Sequence, residues 1–219
     1  MNFGLAFSYI FNDKEWFKKL ALPALCSLIP VIGQFILVGW GLKAAKNVID
    51  GNEQNALPKL EFGADLGRGF MAFLINVIYG LPVAILAGIT SAFFVFGSNA
   101  DDTLMTILFI VGGCVGLIGL LLGILIGFMG LVGLANYVAK GEFRAAFNFK
   151  QVFGMLKKAF LSWLLVIIAQ VLAMSIIAPL GAIACGIGAL LTTAFAFAFH
   201  SHLLGQAYNK ASVPVVEEL

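Results

Sequence analysis

Charged residues are missing from four long stretches of this 219-residue chain, 20–42, 69–100, 103–139 and 159–209, and are gathered between them. About 20 apolar residues cross the hydrocarbon core of a bilayer as a helix, so each stretch can be measured against that length. Residues 70–96 suffice for one span interrupted by Pro82, 104–138 for a longer one that must tilt or project, and 159–208 for two divided near Ala178-Pro179-Leu180-Gly181. Residues 20–42 also suffice, but Pro30 inside Ser27-Leu28-Ile29-Pro30-Val31-Ile32-Gly33 removes a helical hydrogen bond. This first segment is either a kinked fifth span or a re-entrant hairpin.

The pattern thus predicts an all-α polytopic integral membrane protein of one domain, 1–219. It has four full transmembrane helices, a Pro-broken first segment and interfacial amphipathic helices. The expected order is an interfacial N-terminal helix at 1–19, the broken segment at 20–42, a cytoplasmic loop at 43–68 and a span at 69–97. An external loop at 98–103, a glycine-rich span at 104–139 and a cytoplasmic amphipathic helix within 140–158 follow. Spans at 159–178 and 180–208 and a tail at 209–219 complete the chain.

Two segments have the periodicity of surface-lying helices. Ala146, Phe149, Phe153, Leu156 and Phe160 recur at three- and four-residue intervals, with Arg144, Gln151 and Lys158 every seven on the opposite side. The basic residues Arg144, Lys150, Lys157 and Lys158 would face headgroups or a partner. Near the N-terminus Phe3, Phe7, Ile10 and Phe11 form a shorter apolar face; Asn12 and Glu15 then supply a cap for the next helix, with Trp16 as an interfacial anchor.

Within 103–139 seven glycines, Gly112, Gly116, Gly119, Gly123, Gly127, Gly130 and Gly133, fall three or four apart. At about 100° per residue they share one face of a helix. In lipid such a ridge lets two backbones approach closely, so the stripe is expected to be a helix-packing surface, either within this chain or toward another subunit. A weak internal repeat joins these parts. Gly69-Phe70-Met71-Ala72-Phe73-Leu74 aligns with Ala159-Phe160-Leu161-Ser162-Trp163-Leu164, and Gly41-Leu42 with Gly51 aligns with Gly133-Leu134 with Gly141.

Composition supports the membrane reading: 61% of residues are hydrophobic, 11% are charged, and the mean hydropathy is +1.02. A net charge of +2 gives no reason to expect nucleic acid. Segments 43–68 and 140–158 carry four and five basic residues, whereas 97–103 carries only Asp101 and Asp102. The positive-inside rule makes the first two cytoplasmic and the third external, with the C-terminus inside. Asp13 and Glu15 among Lys14, Lys18 and Lys19 favour the hairpin for 20–42, which would keep the N-terminus inside as well. No cleaved signal is expected, because the N-terminus lacks a basic n-region, and no lipoprotein signal, because Leu25 precedes Cys26 where a small residue is needed.

Chemistry is sparse. Cys26, Cys114 and Cys185 are isolated in apolar runs and read as packing residues. His200 and His202 lie about 200° apart on a helix and so do not converge on one metal. Asn76, Gln34, Asn136 and Gln170 are explained by hydrogen bonding between helices, and Ser162, Ser175, Thr192 and Thr193 by bonds back to helix carbonyls. No catalytic residue, metal site or cofactor is expected.

Phe7-Ser8-Tyr9-Ile10-Phe11, Asp13-Lys14-Glu15-Trp16 with Lys18-Lys19, Ser27 to Gly33, Gly39, Gly41, Asn47-Val48, Gly51 and Leu57-Pro58 resemble an uncharacterised family of prokaryotic multi-pass membrane proteins, a domain of unknown function. Leu204-Gly205-Gln206-Ala207-Tyr208 is similar to the family's usual ending. The resemblance is most specific over 7–58, and Lys59-Leu60-Glu61-Phe62 departs from the tryptophan- and acid-rich pattern of relatives. It implies a fold and a prokaryotic inner membrane, and no activity. The expected role is an accessory, scaffold or assembly subunit whose partners are the bilayer and other membrane subunits; a transporter or channel for a neutral or lipidic solute is the alternative.

Overall fold

Helix α1 (Phe3–Asn12) begins where the Asn2 side chain accepts from the Leu5 N–H at 2.9 Å. The computed structural model describes residues 1–181 and 187–212, which are helical with short connections and contain no strand. Asn12 ends α1 instead of capping the next helix. The turn belongs to Asp13, whose carboxylate accepts from the Glu15 N–H at 2.8 Å and pairs with Lys19, and α2 (Trp16–Cys26) follows without a side-chain cap. Burial raises the Asp13 carboxyl, but these bonds outweigh it and hold the group below its ordinary value. On α1 the packed residues are Ala6, Tyr9 and Ile10, while Phe3, Phe7 and Phe11 remain exposed.

The chain reverses at Ser27–Val31. Pro30 lies in this break, and Ile32 N–H donates to Pro30 O at 2.7 Å across Val31, whose φ of 65° and ψ of −60° complete a γ-turn. Helix α3 (Ile32–Ile49) folds back on α2, so that Leu20 and Ala24 join Leu37 and Trp40 in one buried cluster. Lys19 Nζ donates to Leu57 O at 3.2 Å and Trp40 Nε1 to Pro58 O at 3.0 Å, which brings the N-terminal lysines to the loop after α3.

Helices α4 (Phe62–Gly97) and α5 (Asp102–Lys140) form a long hairpin. At 1.5 Å per residue they are about 54 and 58 Å long. Asp101 caps α5 through the N–H groups of Thr103 and Leu104, so Asp101 and Asp102 lie at the tip, and every Lys and Arg falls outside residues 69–139. Gly141 ends α5 at φ 73° and Gly51 follows α3 at φ 90°. These are the positive-φ glycines of the described residues, and they are the pair that the suspected repeat aligns.

After α5 the expected amphipathic helix is two pieces, a 3₁₀ turn (Phe143–Phe147) and α6 (Phe149–Lys158), because Asn148 leaves the helical conformation and caps Gln151 N–H at 3.2 Å. Val152, Met155 and Leu156 face the bundle, while Phe149 and Phe153 face out beside the basic residues. Helix α7 (Phe160–Leu172) runs through a π-helical turn (Ala173–Ile177) into α8 (Ala178–Leu180). Helix α9 (Ile187–Ser212) is the axis of the bundle and packs against α1, α2, α3, α5, α6, α7 and α8. Three helical segments, Phe62–Gly97, Asp102–Lys140 and Phe160–Ile177, are long and apolar enough to cross a membrane, against the four spans expected. The fourth, 180–208, includes residues outside those described, as do Cys185 and residues 213–219 of the tail.

Two glycines fix the crossing of α3 and α4. A Cβ added at Gly39 would fall on the Asp65 carbonyl and within 2.8 Å of the Gly69 nitrogen, and one added at Gly69 would fall on the Phe35 carbonyl. The two backbones are in direct contact, which only a residue without a side chain permits.

Candidate functional site: the hairpin arm and its basic base

The glycine stripe of α5 faces α4. A Cβ at Gly112 would meet Phe93 at 2.8 Å, at Gly116 Thr90 at 3.1 Å, at Gly119 Leu86 at 3.5 Å and at Gly123 Val83 at 3.4 Å. Gly130 lies under Tyr79, and Gly133 under Tyr79 and the Ala146 carbonyl. Gly127 departs from the stripe, for nothing lies within 4 Å of its Cβ position, nor of that at Gly80 across from it on α4. Both line a lateral groove of about 450 Å³ between the helices, with Val83, Ala84 and Gly123. From Gly80 to Phe128 the buried residues, Gly97, Gly112 and Gly119, are those pressed between α4 and α5 themselves. Phe128 still meets the Phe160 ring of α7 at 5.3 Å, but farther out the arm packs only within itself among the described residues, and Ile107, Ile110, Leu117, Leu121 and Ile124 are exposed on α5.

At its base the arm is tied to the 3₁₀ turn and to α6. Tyr79 OH donates to Ala146 O at 2.7 Å and Asn136 Nδ2 to Ala145 O at 2.8 Å, both in the 3₁₀ turn, while Trp163 Nε1 of α7 donates to Met155 O of α6 at 3.1 Å. Lys140 Nζ donates to Gln151 Oε1 at 2.6 Å. These bonds leave Arg144, Lys150, Lys157 and Lys158 exposed, with Lys157 Nζ 4.6 Å above the Phe153 ring. Such a mixture of exposed lysine and phenylalanine suits the headgroup layer, where each part of the side chain finds its own medium. On α3 the Lys43 ammonium, 2.7 Å from Glu61, holds that carboxyl below its ordinary value.

The histidines do not converge. His202 Nε2 lies 2.8 Å from Glu53 O, and its Nδ1 lies 3.0 Å from Gln206 Nε2. One neutral tautomer satisfies both contacts, with Nε2–H donating to the carbonyl and Nδ1 accepting from the amide. Gln206 also accepts from Asn2 N–H at 2.6 Å and donates to Asn2 O at 3.1 Å, so the network closes on backbone groups and fastens α1 to α9. His200 Nδ1 and Gln170 Oε1 are buried without a hydrogen-bond partner among the described residues. Asn76 bonds back to Ala72 O within its own helix, and Gln34 is exposed, so among the described residues Asn136 is the one of the four amides that joins separate elements. Among the described residues no three His, Cys, Asp or Glu side chains gather as a metal site would require.

The sequence model of a family described as a protein of unknown function, DUF4013, matches residues 22–199. The chain belongs to this family. The DUF4013 match runs far past residue 58, where the resemblance read from the sequence thinned, and it takes in the whole α4–α5 hairpin. No curated protein and no solved structure matches the chain.

The sequence reading missed what the fold assembles from distant segments. Gly39 and Gly69 lie in different helices, and only the α3–α4 crossing makes them a pair. Ser162, expected to bond back to its helix as Thr192 does to Gly188 O at 3.0 Å, makes no side-chain hydrogen bond among the described residues.

Proposed function

We propose that this chain is an accessory or assembly subunit of a membrane complex, without chemistry of its own, that docks a partner helix along the outer α4–α5 arm. The observation that carries this reading is the arm itself. About 18 residues of α4 beyond Tyr79 extend with no third helix of the described residues against them, and the groove floored by Gly80 and Gly127 stays open. Because the remaining stripe is occupied by α4, the surface offered to a partner is this groove and the Leu- and Ile-rich face of α5 beside it. The protein sits in a prokaryotic inner membrane, with 20–42 re-entrant, four full spans, and the basic base and C-terminus in the cytoplasm.

Gly127→Leu tests the docking role apart from stability, since a Cβ there meets nothing within 4 Å and the side chain would extend into the open groove. In mild detergent the full chain should purify as a hetero-complex; Gly127→Leu should keep its own melting temperature and lose the partner. A wild-type chain that purifies alone, or a Gly127→Leu complex that stays whole, would remove the reading. The transporter alternative draws on the same lateral groove, and a lone chain that carries a neutral solute across vesicles would favour it.

Orientation has its own measurement. With Cys26, Cys114 and Cys185 replaced, cysteines at Ser98 in the hairpin turn and Asn148 before α6 should react with an impermeant thiol reagent from opposite sides of the membrane. Reaction of both from one side would refute the assignment.

A further inference from the structure

The junction of α6 and α7 holds a second feature, independent of any protein partner. Lys158 ends α6, Ala159 breaks the helix, and the first turn of α7 begins with no side-chain cap. Lys158, Ser162 of that first turn and Lys210 near the end of α9 line one pocket of about 370 Å³, whose lining includes no acidic residue. Ser162 is more than nine-tenths buried there and makes no side-chain hydrogen bond among the described residues. Neither lysine has a carboxylate partner among the described ion pairs. Two ammonium groups without a carboxylate partner, the Met1 amino group beside Lys210, the Ser162 hydroxyl and the first turn of α7 all line one space, which is the donor set of an anion site.

The pocket's walls say which anion. Phe3 and Leu165 line it, and the same two residues open a second cavity of about 390 Å³ that continues along α7 past Leu172 to Ile176, closed on the α9 side by Phe199. From Leu165 to Ile176 this groove extends about 16 Å at helical rise and is apolar throughout. A free phosphate would leave it empty, whereas a phospholipid would fill both parts at once. We infer that the pocket and groove together form a binding site for an anionic phospholipid, with the headgroup phosphate on Lys158, Lys210 and Ser162 and one acyl chain along α7. The site lies beside the amphipathic α6, at the depth where headgroups meet chains.

The test uses the full chain purified in mild detergent and titrated with spin-labelled phosphatidylglycerol and with phosphatidylcholine of the same chains. Phosphatidylglycerol should bind the more tightly, and Lys158→Gln with Lys210→Gln should weaken it about 30-fold, from the usual gain per lysine at a lipid surface. The pair Lys150→Gln with Lys157→Gln removes equal charge from exposed positions outside the pocket and should change binding less than threefold. Inorganic phosphate at millimolar concentration should not displace the lipid. Equal affinity for both lipids, equal loss in the two double variants, or displacement by phosphate would each overturn the assignment.

Discussion

Gly39→Val and Gly69→Val should each prevent recovery of folded protein, or lower stability by on the order of 3–5 kcal/mol. At both positions the new Cβ meets a backbone carbonyl of the opposing helix, Asp65 O or Phe35 O, so no rotamer change can relieve it. The helices would have to separate, and the Arg68 bond to Gly39 O and the Lys43 pair with Glu61 would go with them. Gly63 and Gly67 lie on the same helix with open space around their Cβ positions, and valine there should cost no more than about 1 kcal/mol. Thermal unfolding in detergent compares the four variants directly. If Gly69→Val melts with Gly67→Val, the crossing is looser than the backbone contact requires.

That contrast also shows what a sequence can reveal. Seven glycines in one helix announce themselves by period alone, and the stripe does face a neighbouring helix at every position but Gly127. The neighbour is α4, joined to α5 by a short turn, the arrangement that a brief polar loop such as 98–103 favours. Gly39 and Gly69 have no such period, and the contact that gives them meaning forms only when α4 is laid across α3. Charge-free length located the long helices but could not tell a lipid-facing span from a buried axis. Helix α9 is apolar because other helices surround it, and its His202 and Gln206 are tolerated because Glu53 O and Asn2 satisfy them. Local polar choices were equally hidden: Asp13 takes the turn from Asn12, and Asn148 ends a periodicity that runs through it, since a short side chain that reaches its own backbone competes with the helix. Lys158 and Lys210 lie far apart in sequence, so their shared pocket is a product of the fold.

The second large effect concerns the charge buried at the same crossing. Asp65 is fully buried; Arg68 Nη1 donates to its Oδ1 at 2.6 Å, and the Glu61 N–H at the start of α4 donates to its Oδ2 at 2.7 Å. Arg68 in turn reaches Gly39 O at 3.3 Å, so one carboxylate closes the helix start and aims the guanidinium at α3. Asp65→Ala would strand both donors, and breaking a buried pair from one side costs about 3–5 kcal/mol. Asp65→Asn retains an oxygen for one donor but gives up the charge, and about half that loss is expected. Adding Arg68→Leu to Asp65→Ala should recover part of the stability, because the unpaired cation is gone. Melting temperatures of the three variants settle the matter: if the double variant is less stable than Asp65→Ala alone, the guanidinium contributes through Gly39 and not through the carboxylate. Recovery would instead mark the ion pair as the lock that holds α4 in the notch made by Gly39 and Gly69.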